Sequence, residues 1–114
     1  MEETRELLKG NTPTLVLAIL SEGPRHTYAI GQIITSRAGD AVQFKRGTLY
    51  PVLHALERDG LVIGEWEHEG DRPRRTYTIT PAGRTELAQR AHQWHRFAQA
   101  MSCLIGGGPH EQLA

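Results

Sequence analysis

The chain has 114 residues, 13 Lys or Arg against 13 Asp or Glu, and a formal charge of zero. That length allows one small core, and composition alone names no anionic partner. The single cysteine, Cys103, excludes an internal disulfide framework and fits a reducing cytoplasm. The opening MEETRELLKG is acidic and polar where a secretory signal needs a basic start and an apolar stretch, and the apolar run Leu15–Leu20 is too short to span a bilayer. The expectation is a soluble, cytoplasmic protein.

The charge is unevenly distributed. Residues 25–50 carry Arg25, Arg37, Lys45 and Arg46 against Asp40 alone. Residues 51–71 carry Arg58 against Glu57, Asp59, Glu65, Glu67, Glu69 and Asp71, and then Arg72, Arg74 and Arg75 follow with no acid among them. A fold that brought the two basic clusters together would make a local positive patch on a neutral protein.

In chain order, NTPTLVLAIL (11–20) predicts a helix capped by Asn11 or Thr12, with Pro13 near its first position. It is apolar all round, so it is a buried helix. SEGPRH (21–26) reads as a turn. From Thr27 to about Ala38, Tyr28, Ile30, Ile33 and Ile34 give a second, amphipathic helix ended by Gly39. AVQF (41–44) reads as short and extended. In RGTLYPVLHALERDGLV (46–62), Leu49, Leu53 and Leu56 give a third helix with one oily face, stopped by Gly60. Its beginning holds Lys45, Arg46, Thr48 and Tyr50, all hydrogen-bond donors, at the end where a helix dipole is already positive. Such an end invites an anion. Pro51 sits inside this segment, either forfeiting one hydrogen bond or starting the helix late.

Leu61 to Glu69 predicts a strand, GDRP (70–73) a turn, and RRTYTIT (74–80) a second strand with Tyr77 and Ile79 on one face. Thr80-Pro81 then opens a last helix, a capping threonine followed by proline. Along it Leu87, Ala91, Trp94, Ala98, Met101 and Ile105 recur with a 3.5-residue period. A helix of about 25 residues is about 37 Å long at 1.5 Å per residue, more than so small a domain covers. The stripe therefore points to self-association, the rival being packing on its own domain. No internal repeat is present.

Helix, helix, short strand, helix and hairpin is the order of a winged helix-turn-helix. The motifs TYAIGQII (27–34), FKRGTLYPVLHALERDGLV (44–62) and GDRPRRTYTITPAGR (70–84), followed by a long closing helix, cover the chain from about residue 8 to 105. On these the chain resembles the PadR family of transcriptional regulators, and its single C-terminal helix resembles the short subfamily. The resemblance implies a mainly α fold with a small β-hairpin: a winged helix-turn-helix over 1–80, a dimerisation helix over 81–105, and a disordered tail over 106–114. It implies a homodimeric repressor on a pseudo-palindromic duplex operator, with the third helix in the major groove and each hairpin tip on backbone or minor groove.

Carried onto this chain, the resemblance makes Lys45, Arg46, Thr48 and Tyr50 DNA contacts at the recognition helix, and Arg72 and Arg74 contacts at the hairpin. Arg75 is turned the other way by strand alternation. A solvated turn in which the three arginines pair with Glu65, Glu67 and Glu69 is the alternative. Tyr28 matches an aromatic that lies near the DNA backbone in relatives, or else it packs in the core. Where the family often has Ser or Asn followed by Pro, this chain has Lys45-Arg46, which makes helix entry more charge-driven.

Trp94 stands where multidrug-responsive relatives of the short subfamily carry a tryptophan, whose two symmetry-related copies sandwich flat aromatic compounds. It is either a ligand-binding residue for a small aromatic molecule or a plain interface anchor. His92 and His95 lie three apart, but no cysteine or carboxylate joins them at ligand spacing, so no metal and no cofactor is expected. A lone cysteine on an apolar helix, as Cys103 is, is expected to be buried and inert. No nucleophile–base pair, phosphate loop or carboxylate pair is present, so the chain reads as no enzyme. The competing functional class is a winged-helix module for protein contact without DNA binding.

Overall fold

The computed structural model describes residues 10–38, 46–69 and 72–106, with the backbone alone for Arg46, Glu69 and Arg72. The extended segment expected at 41–44, Lys45, Gly39 and the tail beyond 106 lie outside the described residues. Among the described residues no helix is long and apolar enough to cross a membrane.

Helix α1 (Thr12–Leu20) is the hub, touching the second and third helices, the sheet and the last helix. Val16, Leu17, Ile19 and Leu20 are all buried, as an all-round apolar helix must be. Asn11 occupies the N-cap without a side-chain cap bond; its carbonyl accepts from the Leu15 amide at 3.1 Å. Proline near the start loses no helical bond there.

The segment read as a turn continues into a two-residue strand, β1 (Arg25–His26), directly before α2 (Thr27–Ala38). This corrects the sequence reading of 21–26. Ile30 and Ile34 of α2 enter the core, but Tyr28 stays half exposed and is no core residue. A 3-10 turn (Arg46–Thr48) leads into α3 (Leu49–Arg58), whose Leu49, Leu53 and Leu56 are buried. Burying each such side chain is worth about 1.5–3 kcal/mol. Gly60 at φ +77° ends α3 in the left-handed region where a Cβ is disfavoured.

Strands β2 (Val62–Glu69) and β3 (Arg72–Ile79) pair antiparallel, Val62 opposite Ile79 and Glu69 opposite Arg72. Arg72 and Pro73 thus belong to the strand rather than to the expected turn. Pro73 lies beyond the reach of β1, which pairs only with Thr76 and Tyr77, so no third strand meets it. The sheet order is β1-β3-β2. Val62, Tyr77 and Ile79 close the core against the helices.

Helix α4 (Pro81–Ile105) starts at a capping Thr80, whose hydroxyl accepts from the Gly83 amide at 3.0 Å. The same hydroxyl donates to the Gly60 carbonyl at 2.8 Å, and the Thr80 amide donates to the Leu61 carbonyl at 3.0 Å. One residue therefore ties the end of α3, the base of the hairpin and the start of α4. Gly83 is buried in this knot, where a Cβ would overlap the Leu61 carbonyl oxygen and the Ile79 side chain.

The effect of Gly83→Ala has opposite signs on two accounts. Helix propensity alone predicts stabilisation by about 1 kcal/mol. Overpacking typically costs about 1–3 kcal/mol, and here the obstacle is backbone, which cannot rotate away. The expected outcome is a lower melting temperature, read by far-ultraviolet circular dichroism; an unchanged or raised one would contradict the contact.

Candidate nucleic-acid interface

Helix α3 is pinned by its leucines, so its opposite face is fixed outward. Tyr50, Pro51, His54 and Arg58 are exposed there, and Thr48 is exposed at the end of the preceding 3-10 turn. Tyr50, His54 and Arg58 fall at i, i+4 and i+8, one continuous row on the helix surface. His54 was not singled out from the sequence; its spacing from Tyr50, complementary to the leucines, is the signal that would have found it. Pro51 is the third residue of α3. The first-turn amides of a helix have no partner within it, so proline here neither breaks nor delays α3. The donors Arg46 and Thr48 lie in the 3-10 turn, not in the first α-turn. The N-terminal end of α3 is thus dipole-positive and carries the exposed hydroxyls of Thr48 and Tyr50.

The hairpin has two unlike faces. Glu65 stands opposite Thr76 and Glu67 opposite Arg74 on the outer face, in the register of the backbone ladder. Arg74 is exposed and makes no ion pair among the described residues. On the inner face Val62, Gly64 and Trp66 stand opposite Ile79, Tyr77 and Arg75. Arg75 does not join the outer acids. Its Nη2 donates to Glu57 Oε2 of α3 at 2.5 Å and lies 3.3 Å from the Gly64 carbonyl oxygen.

Two aromatic rings also hold this arginine. Its guanidinium carbon lies 5.6 Å from the centroid of the Trp66 ring and 5.6 Å from that of the Tyr77 ring, within cation–π range. The Gly64 amide donates to the same Glu57 oxygen at 3.4 Å. A Cβ on Gly64 would overlap the Arg75 guanidinium, so glycine leaves the path open. Burial pushes the Tyr77 phenol above its ordinary value, against the pull of the Arg75 charge, so the ring meets the cation as a neutral π-face. No sequence pattern marks this pair: Glu57 and Arg75 are 18 residues apart on different elements.

The basic clusters divide accordingly. Arg37 is neutralised by Glu22 through two bonds of 2.6 Å, which hold that carboxyl below its usual range. Arg75 is neutralised by Glu57. Arg74 remains solvent-facing, and Lys45 with the side chains of Arg46 and Arg72 lies outside the described residues. Tyr28, at the start of α2, is 49% exposed and its hydroxyl accepts from Gln32 Nε2 at 3.0 Å.

On α4 the stripe changes character along its length. Leu87 packs against the domain's own core, and Ala91 and Ala98 are half-buried. Trp94 is 48% exposed, Met101 38% and Ile105 72%. Phe97 and Leu104, not singled out from the sequence, are 57% and 81% exposed. They interleave with Trp94 and Met101 at spacings of 3, 4 and 3, and the Trp94 and Phe97 rings lie 6.0 Å apart. Cys103, expected to be buried, is exposed on this isolated chain. His92 and His95 are exposed, and among the described residues no group of three His, Cys, Asp or Glu could hold a metal.

The sequence model of the "Transcriptional regulator PadR-like family" matches residues 16–89. A protein from Mycobacterium tuberculosis described as a transcriptional regulator is 42% identical over 64 residues, which span 56% of this chain and 57% of that protein. The crystal structure of a PadR family transcriptional regulator from Eggerthella lenta superposes with a TM-score of 0.81 at 30% identity, covering 94% of this chain and 92% of that one. Bacillus subtilis PadR in complex with operator DNA superposes with a TM-score of 0.63 at 25% identity, covering 73% of this chain and 44% of that one. These relatives are regulators of transcription, not enzymes. With its family motif matched from the first helix into the last and its winged-helix fold shared with solved members, this chain belongs to the PadR-like family of transcriptional regulators.

Proposed function

We infer that the chain is a homodimeric, sequence-specific DNA-binding repressor that acts in the cytoplasm. The observation that carries this reading is α3: three leucines anchor one face in the core while Thr48 and Tyr50 at its N-terminus, and His54 one turn on, stand outward. That terminus suits phosphate, and its hydroxyls and imidazole suit base edges. Lys45, Arg46, Arg72 and Arg74 supply the charge for this binding, and Tyr28 supplies a further contact from α2. A module for protein contact alone would not need a donor-rich helix end.

The reading organises the chain as a winged helix-turn-helix over 1–80 and a dimerisation helix over 81–105. Its seam includes Ala91, Trp94, Ala98, Met101 and Ile105, extended by Phe97 and Leu104, with Leu87 at the junction to the core. Large apolar side chains left in water along half a helix favour a second copy. Two linked recognition helices then meet half-sites about one helical turn, ~34 Å, apart. Trp94, half exposed beside Phe97, suits a flat aromatic ligand whose binding would release the operator.

The direct test is a footprint on the DNA upstream of the chain's own reading frame. Protection of two half-sites supports the reading, and salt-insensitive or absent duplex binding favours the protein-contact module. Removing Arg72 and Arg74 together by alanine should weaken binding about equally for all sequences. It should also flatten the log–log salt dependence by about one unit per lost phosphate contact. An unchanged slope would take the wing out of the interface.

For the seam, Met101→Asp places an unpaired charge in an apolar interface and should cost about 3–5 kcal/mol of assembly. Sedimentation showing an intact dimer for this variant would refute the seam, whereas monomers with weakened operator binding support it. For the ligand, planar aromatic cations should quench Trp94 emission in a Trp66→Phe background. Losing the indoles in Trp94→Ala should weaken dye binding about tenfold, since stacking is worth about 0.5–1.5 kcal/mol per ring pair beyond area burial. Equal dye binding by Trp94→Ala and the parent would leave Trp94 as an anchor only.

A further inference from the structure

We propose that Arg75, with Glu57 and Gly64, is a positioning device that fixes the wing against the recognition helix, so that Arg74 and the face of α3 engage one duplex as a rigid unit. The proposal rests on the DNA-binding reading above and adds residues that touch no DNA. Of the two hairpin arginines whose side chains are described, Arg74 is exposed and Arg75 turns inward, bonded to Glu57 of α3 and to the Gly64 carbonyl of β2, with Trp66 and Tyr77 against its guanidinium. Its Nε is buried without a hydrogen-bond partner, so the group is held by its terminal nitrogen and by packing. Glu57 in turn accepts from the Gly64 amide, which makes the carboxylate a bridge between α3 and the strand backbone.

Without the bridge, the hairpin is joined to the body at its base, through Val62, Tyr77 and Ile79, and by β1, which reaches no further than Thr76 among the described residues. A two-stranded ribbon beyond such a base is marginally stable by itself. Arg75 stands opposite Trp66, one residue past Thr76, where a brace limits swinging of the two-stranded part of the hairpin. Fixing the tip before binding lowers the ordering cost of each wing contact, which is how a residue distant from DNA raises affinity.

Charge and bracing make opposite predictions for Glu57. Deleting a carboxylate beside a DNA surface should raise affinity if only electrostatics count. If Glu57 braces the wing, Glu57→Gln should lower it. The probe is the tightest duplex that the wild-type chain selects from a random-sequence pool, and melting temperature is measured for every variant. The expected result for Glu57→Gln is binding weaker by about tenfold, or about 1.4 kcal/mol. Gly64→Ala, which changes no charge but blocks the arginine, should weaken binding alike, and Arg75→Lys should fall between it and wild type. In the Glu57→Gln background, Arg74→Ala should cause little further loss, because contacts that depend on one another are not additive. If Gly64→Ala fails to fold, Glu57→Gln carries the test alone, since glutamine keeps the shape and can still accept from Gly64. A wild-type chain that selects no duplex overturns the DNA-binding reading and this proposal with it. A wild type that selects one, while Glu57→Gln binds it as well or better, overturns the proposal alone.

Discussion

Thr80 is the point from which the structure's three working parts depart. Its hydroxyl bonds the Gly60 carbonyl and the Gly83 amide, and its own amide bonds the Leu61 carbonyl. Two stretches of chain 20 residues apart, 60–61 and 80–83, therefore share one small hydrogen-bonded knot. Gly60 supplies the positive φ that lets the chain leave α3, and Gly83 supplies the absent side chain that lets α4 approach the Leu61 backbone. Helix α3, the hairpin and the long last helix thus have fixed mutual directions before any ligand is considered.

Around that knot, a neutral chain divides its charge by neutralising arginines where geometry needs them rigid. Arg37 joins Glu22 across the ends of α1 and α2, and Arg90 joins Glu86 one turn apart on α4. Both pairs are partly open to solvent, so each contributes modestly to stability. The Arg75–Glu57 pair is about as open as Arg90–Glu86 but differs in its neighbours, since two aromatic rings and the Gly64 backbone also contact the guanidinium. The acidic stretch after α3 is therefore not simply a repulsive strip between two basic clusters. One of its acids is part of the scaffold, while Glu65 and Glu67 line the outer face of the wing.

Local chemistry was legible in the sequence wherever a residue's role is set by its neighbours in the chain. Gly60 as a stop, Thr80-Pro81 as a start, and the leucines of α3 all depend on interactions within a turn or two. What escaped the sequence depends on partners far along it. Strand β1 has two residues and no periodicity; it exists because His26 finds Thr76 across the sheet, ring nitrogen to hydroxyl at 3.0 Å, 50 residues away. The inward turn of Arg75 followed from strand alternation, but its partner on α3 did not. Pro51 was undecidable because a one-residue shift of the helix start changes its cost entirely. On α4, the heptad stripe picked out small and large apolar positions alike, whereas exposure added Phe97 and Leu104 and placed Leu87 against the core.

We propose that the outward face of α3 and the wing form one DNA-reading surface. Amide chemical-shift mapping of the isotope-labelled chain, titrated with the duplex protected upstream of its reading frame, tests it most directly. The largest shifts should gather at Thr48, Tyr50, His54 and Arg74, moving together with one midpoint. Shifts confined to α4, or α3 responding while Arg74 stays unmoved at saturation, would contradict it.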